Sequence, residues 1–206
     1  MRPPIKILIT GLCIVVLTGC GVTKPSRFYI LTASEDSSSQ ASAATGPALG
    51  IGPVRFPAYL DRPEIVQRSG SNQLHYAGSD RWAEPLKSAF SRTLADNLAA
   101  LLQSDRVTLY PWPRTTRPDY QVSVDVMRFD ADADGTVMLM AGWKVIRPED
   151  KSVVARNRTS YTEATGKLDY PAIVAAQSHA VERLSRDIAD SIRRARRDSN
   201  SRPPGL

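Results

Sequence analysis

The tetrad Leu17-Thr18-Gly19-Cys20 decides what the rest of this chain has available to build a fold. It closes an apolar run that starts at Ile7 and follows Arg2 and Lys6, the layout of a secretory signal cut in front of a cysteine. Cys13 leaves with that signal, Cys20 becomes the first mature residue, and the sequence holds only these 2 cysteines. The folded part then has no disulfide, no thiolate nucleophile and no cysteine metal site. It must be held by packing alone. Taking the first 19 of 206 residues away leaves 187, enough for one domain with a sizeable core. A hydrophobic content of 42% and a charged content of 23% fit a globular domain rather than a disordered chain. Loss of Arg2 and Lys6 brings the formal charge from +6 to +4.

The small pair Thr18-Gly19 directly before Cys20 resembles a bacterial lipobox. That resemblance implies a diacylglyceryl thioether on Cys20, cleavage in front of it, and acylation of the freed amine. One palmitate-length chain holds a protein to a membrane only marginally, at about 0.8 kcal/mol per buried methylene, whereas three make release negligible. Gly21 stands where an aspartate commonly retains such lipoproteins in the inner membrane, so the implied address is the outer membrane, facing the periplasm. The competing reading is an uncleaved transmembrane helix. Its uncharged stretch from Ile7 to Thr23 is 17 residues, at the lower limit for a span, and it ends in small, polar residues. The expected organisation is a signal over 1–19, a lipidated tether over 20–26, a domain over 27–197 and a disordered tail over 198–206.

Within the domain, residues 27–32 have strand composition, and the small, polar stretch 34–47 reads as a flexible loop. Ala48–Arg55 is a strand broken by Pro57. Pro63 enforces an extended approach to Glu64–Ser69, which turns at 69–72 and returns through Gln73–Ala77. A helix is expected from Arg81 to Gln103, with Trp82, Leu86, Phe90, Leu94, Leu98 and Leu102 four apart, Ser79 or Asp80 as cap and Pro85 in its first turn. Arg106–Tyr110 is a short strand. An antiparallel meander follows, through Val122–Val126, Val137–Val145 and residues 152–165, with Arg156, Arg158, Ser160 and Thr162 on a solvent face. A second helix starts near Asp169-Tyr170-Pro171 with the stripe Val174, Val181, Leu184, Ile188 and Ile192. The fold class is therefore α/β: a two-layer sandwich of a mixed, largely antiparallel sheet and two long amphipathic helices.

No motif demands a catalyst or a cofactor. Asp130-Ala131-Asp132-Ala133-Asp134-Gly135 imitates half of an EF-hand loop, but the twelfth position is Ala141 and strands flank it, so Asp-Gly in a two-residue hairpin turn, with glycine at φ > 0, explains it better. His75 and His179 are far apart and read as ordinary histidines rather than metal ligands. Neither a Gly-x-Ser-x-Gly elbow nor a phosphate-cradling glycine loop is present. Asp61, Glu64 and Glu84 stand beside Arg62 and Arg81 and read as salt-bridge partners. An exported, tethered chain does not meet nucleic acid. The arginines ending the second helix therefore complement its dipole, with anionic headgroups or an acidic partner as the functional alternatives.

Three segments together carry a family resemblance. They are 27–32 (RFYILT) soon after the lipobox, 51–66 (IGPVRFPAYLDRPEIV), and 81–86 (RWAEPL). With the Arg128-Phe129 strand, the Asp-Gly turn and Trp143, they resemble the PqiC/YmbA-type auxiliary lipoproteins of ABC-type and MCE-domain transport systems; Phe56 departs from the leucine common there. The resemblance implies a non-enzymatic, outer-membrane-anchored periplasmic component. Its partners would be an MCE-domain protein and an inner-membrane permease and ATPase that move phospholipid or other hydrophobic molecules. The alternative is a stand-alone structural or assembly lipoprotein. Segment Pro57–Glu64, with Tyr59, Leu60, Asp61 and Arg62, is expected to be a partner or self-association surface. A rigid loop covering one end of the sheet is the competing reading.

Overall fold

Strand alternation in the Val122 and Val137 segments places two long strands at the centre of the fold. In the computed structural model, which describes residues 25–34 and 45–200, these are β6 (Tyr120–Ala131) and β7 (Val137–Arg147). They pair antiparallel along their whole length, and β7 pairs the same way with β8 (Ser152–Glu163). Val122, Val124, Val126, Leu139, Ala141, Trp143 and Val145 are buried on one face. Arg156, Arg158, Ser160 and Thr162 of β8 are exposed, as the alternation requires.

The other side of β6 is shared. Its first half takes β2 (Leu49–Arg55) in parallel, and β2 carries β5 (Val107–Leu109) on its far edge. Its last residue, Ala131, takes Gln67 of β3 (Glu64–Gly70). Beyond β3 lie antiparallel β4 (Gln73–Trp82) and parallel β1 (Arg27–Tyr29). The sheet thus forks along β6. It is mixed, with its longest ladders antiparallel; the parallel pairings of β2 follow from distant segments and have no local signal.

Helices α1 (Leu86–Leu102) and α2 (Tyr170–Asn200) form the second layer and pack on each other. Leu86, Phe90, Leu94, Leu98 and Leu102 of α1 are buried, as are Val174, Val181, Leu184, Ile188 and Ile192 of α2. The seam contains a polar joint, in which Asn97 Nδ2 donates to Ser185 Oγ at 3.3 Å and Asn97 Oδ1 accepts the Ser34 N–H at 2.9 Å.

Several boundaries differ from expectation. The first helix begins at Leu86, not Arg81, because β4 continues through Trp82. Asp80 is no helix cap: it accepts hydrogen bonds from Arg27 Nη2 at 3.0 Å and Tyr29 Oη at 2.7 Å and so fastens β1. Burial by itself would raise the Asp80 carboxyl, but these donors outweigh it and hold it below the ordinary carboxylate range. Asp169 does cap α2, its Oδ1 accepting the Ala172 N–H at 2.9 Å, and the helix runs through Asp198 to Asn200, past the expected start of the tail. The β6–β7 turn is a three-residue loop, closed by Asp132 N–H to Thr136 O at 2.8 Å, with Gly135 at φ 83. The expected loop 34–47 is tied at its ends, by Asn97 at Ser34 and by Gly46 N–H to Gln103 O at 2.8 Å; residues 35–44 lie outside the described residues.

Candidate partner-binding site at the fork

The chain crosses from one arm of the fork to the other through residues 56–63. Pro57 fixes φ at −62, and Pro63 keeps Arg62 out of the helical region, so only one tight turn fits between them. That turn is the 3₁₀ segment Ala58–Leu60, closed by Leu60 N–H to Pro57 O at 3.0 Å and Asp61 N–H to Ala58 O at 3.1 Å.

The turn points its side chains in different directions. Leu60 is 2% exposed and belongs to the core. Phe56 meets Phe90 and Phe129 edge-on at 5.3 and 6.3 Å. Tyr59 packs against the core and donates to Asp130 Oδ2 at 2.8 Å. Tyr59 and Leu60 are therefore not a free contact surface, contrary to expectation. The reason is the fork: a segment bridging two arms must fill the gap between them. Asp61 is exposed, and Arg62 is half-buried, its guanidinium 3.6 Å from the Tyr76 ring centroid and 3.4 Å from Glu64.

Asp130 anchors the network beneath. It is fully buried and accepts from Tyr59, from Arg68 Nη2 at 3.2 Å and from Arg128 Nε at 2.7 Å; Arg128 also reaches Asp132 at 2.6 Å. Burial would lower the Arg128 guanidinium, but its bonds to Asp130 and Asp132 raise it. The half-EF-hand aspartates are thus arginine partners. The sequence reading missed Asp130 as the hub. Its one available signal was a carboxylate between Phe129 and Ala131, both apolar.

Burial first, and the Asp130 carboxylate second, push the Tyr59 hydroxyl up to about 12 from an ordinary 10.0. A raised folded value means that the neutral hydroxyl stabilises the fold. That contribution is complete below pH 10.0 and is lost as pH rises through about 12. Absorbance at 295 nm, titrated against Tyr59→Phe, should reveal one tyrosine with a midpoint about two units above the ordinary value. A midpoint near the ordinary value would place the hydroxyl in water.

Cys20, the expected lipid-attachment residue, lies outside the described residues. Among the described residues no helix is long and apolar enough to cross a membrane, and no three metal-ligating side chains converge.

Fold and fork define a class: a two-layer α/β domain whose sheet splits around a buried acid–arginine network. The sequence matches the family of ABC-type transport auxiliary lipoprotein components over residues 29–189, and the chain belongs to that family. This sets it among the envelope-associated lipoproteins of ABC-type transport systems, in agreement with the PqiC/YmbA resemblance. Two solved structures share its fold. One, a crystal structure of an uncharacterized protein, is 20% identical with a TM-score of 0.67, covering 82% of this chain and 99% of its own. The other, protein XCC0632 from Xanthomonas campestris, is 19% identical with a TM-score of 0.62, covering 85% and 100%. A comparison with curated proteins finds no match.

Proposed function

We propose that this protein is a non-enzymatic auxiliary lipoprotein, held by lipidated Cys20 in the outer membrane and facing the periplasm. There it docks an MCE-domain protein to help an inner-membrane permease and ATPase move phospholipid or other hydrophobic molecules and so keep the membrane intact. The family match over residues 29–189 carries this reading, and the lipobox-like tetrad before Cys20 supplies the anchor. The docking surface we assign is Asp61 and Arg62 of the fork segment together with Tyr76 of β4, on whose ring Arg62 stacks. A mild-detergent pull-down of the intact lipoprotein from its native membranes, beside Cys20→Ala, tests it. An MCE-domain protein in the eluate, reduced by Asp61→Ala combined with Arg62→Ala, is the expected result. Recovery of an outer-membrane barrel or peptidoglycan instead would favour the structural or assembly role.

A further inference from the structure

Helix α2 packs on β6–β8, on the side where Val122, Leu139 and Trp143 are buried, and α1 packs beside it on β2 and β5. Among the described residues no helix covers the opposite face. Strand register lays that face out in rows. Ser123 stands opposite Lys144, which stands opposite Arg156; Asp125 stands opposite Gly142, which stands opposite Arg158. These six residues line one groove of about 550 Å³, within the size range of small-molecule sites.

Four properties of the groove need a common explanation. Lys144, Arg156 and Arg158 take part in no ion pair among the described residues, while Asp125, the groove's one carboxylate, is held by Arg55 at 3.2 Å. Ser123 is 8% exposed, and its Oγ has no hydrogen-bond partner. A buried hydroxyl left alone in this way has given up its water and gained no partner in exchange. Gly142 interrupts the middle of β7 although its backbone does not require glycine. A Cβ there would meet only Met127 Cε, at 4.0 Å. Glycine inside a strand weakens it and often marks where a ligand comes close. Finally, apolar side chains bound the groove on both sides. Met127 and Met140 lie toward the Asp130 end, and Ile146 and Val153 lie toward the other, with Val153 48% exposed.

From these features we infer that the helix-free sheet face binds an anionic glycerophospholipid. The phosphodiester sits at Gly142 between Lys144, Arg156 and Arg158, Ser123 Oγ donates to a phosphate oxygen, and an acyl chain lies along Met127 and Met140. Methionine suits the last task because its flexible, polarizable side chain adapts to chains of varied shape. A bare phosphate would leave the methionines unused. A zwitterionic lipid such as phosphatidylcholine would bring a quaternary ammonium against Lys144, Arg156 and Arg158. This inference goes beyond the docking role, since direct lipid binding needs no MCE partner and is tested without one.

Native mass spectrometry of the purified full-length lipoprotein, with phosphatidylglycerol or phosphatidylcholine added in nonionic detergent, reads the adducts directly. Phosphatidylglycerol should bind as a single saturable adduct, about ten-fold or more ahead of phosphatidylcholine, and weaken as salt rises. The combined Lys144→Ser, Arg156→Ser and Arg158→Ser variant should lose that preference. Gly142→Val should lose the adduct while melting no lower than wild type, because it fills the groove and suits a strand. Equal uptake of both lipids, a full adduct in Gly142→Val, or equal competition by glycerol phosphate would each overturn the proposal, the last by showing a site for free phosphate.

Discussion

Asp130→Ala should cost about 3–5 kcal/mol of folding free energy, because it removes the carboxylate and leaves its partners in place. Arg68 and Arg128 have side chains only 22% and 17% exposed, so water cannot readily take over what Asp130 supplies. The Tyr59 hydroxyl loses its acceptor in the same step. For a domain of this size the melting temperature should fall by roughly 10 °C, readable by circular dichroism. Asp130→Asn keeps an acceptor for Tyr59 but not the charge, and should fall between the alanine variant and wild type. A loss below about 2 °C for Asp130→Ala would mean that both arginines turn out to solvent, and that the fork is held by apolar packing alone. The functional reading depends on the outcome. Tyr59 fixes the turn that sets Asp61 and Arg62 on the surface, so loosening Asp130 should weaken partner capture even where the domain still folds.

Legibility in the sequence followed the range of the interactions. Helix stripes and the three-strand meander are set by neighbours a few residues apart, and Leu86–Leu102, Val174–Ile192 and the β6–β8 alternation were readable from period alone. The fork was not. It depends on β2 and β3 reaching the same edge of β6, through pairs such as Leu49 with Tyr120 and Gln67 with Ala131, and no local pattern encodes a partner that far away. The start of α1 was misplaced for a related reason. Trp82 continues the four-residue repeat of the helix, yet β1 pairs with Asp80, Arg81 and Trp82 and keeps them extended. At the candidate site the same limit decided between contact surface and core. Tyr59 and Leu60 sit among prolines and charges, which reads as surface, and only the gap between the arms explains why Leu60 is buried. Asp61 is exposed and Arg62 is half-buried against Tyr76, a contact with β4 that the local run of prolines and charges does not announce. Gly142 left a weak trace, a glycine within an alternating strand, whose meaning depends on which cations stand opposite it.

Phe90→Ala should be about as damaging as Asp130→Ala, at roughly 3–5 kcal/mol, and for a different reason. Phe90 is fully buried on α1 and stands edge-on to Phe56 of the fork segment and, at 5.5 Å, to Phe129 of β6. It is the point where the helix layer locks the bridging segment against the central strand. Truncation removes a large buried side chain and two aromatic contacts worth about 0.5–1.5 kcal/mol each beyond their area. The surrounding backbone is tied into strands and a helix and cannot collapse to fill the space. Phe56→Leu makes the informative contrast. Phe56 is only partly buried and the swap keeps an apolar side chain, so a loss below about 1.5 kcal/mol is expected. Chemical denaturation of both variants separates the two possibilities. A large loss for Phe90→Ala with a small one for Phe56→Leu places the lock at the α1–β6 contact. Comparable losses would mean that the bridging segment itself carries the packing.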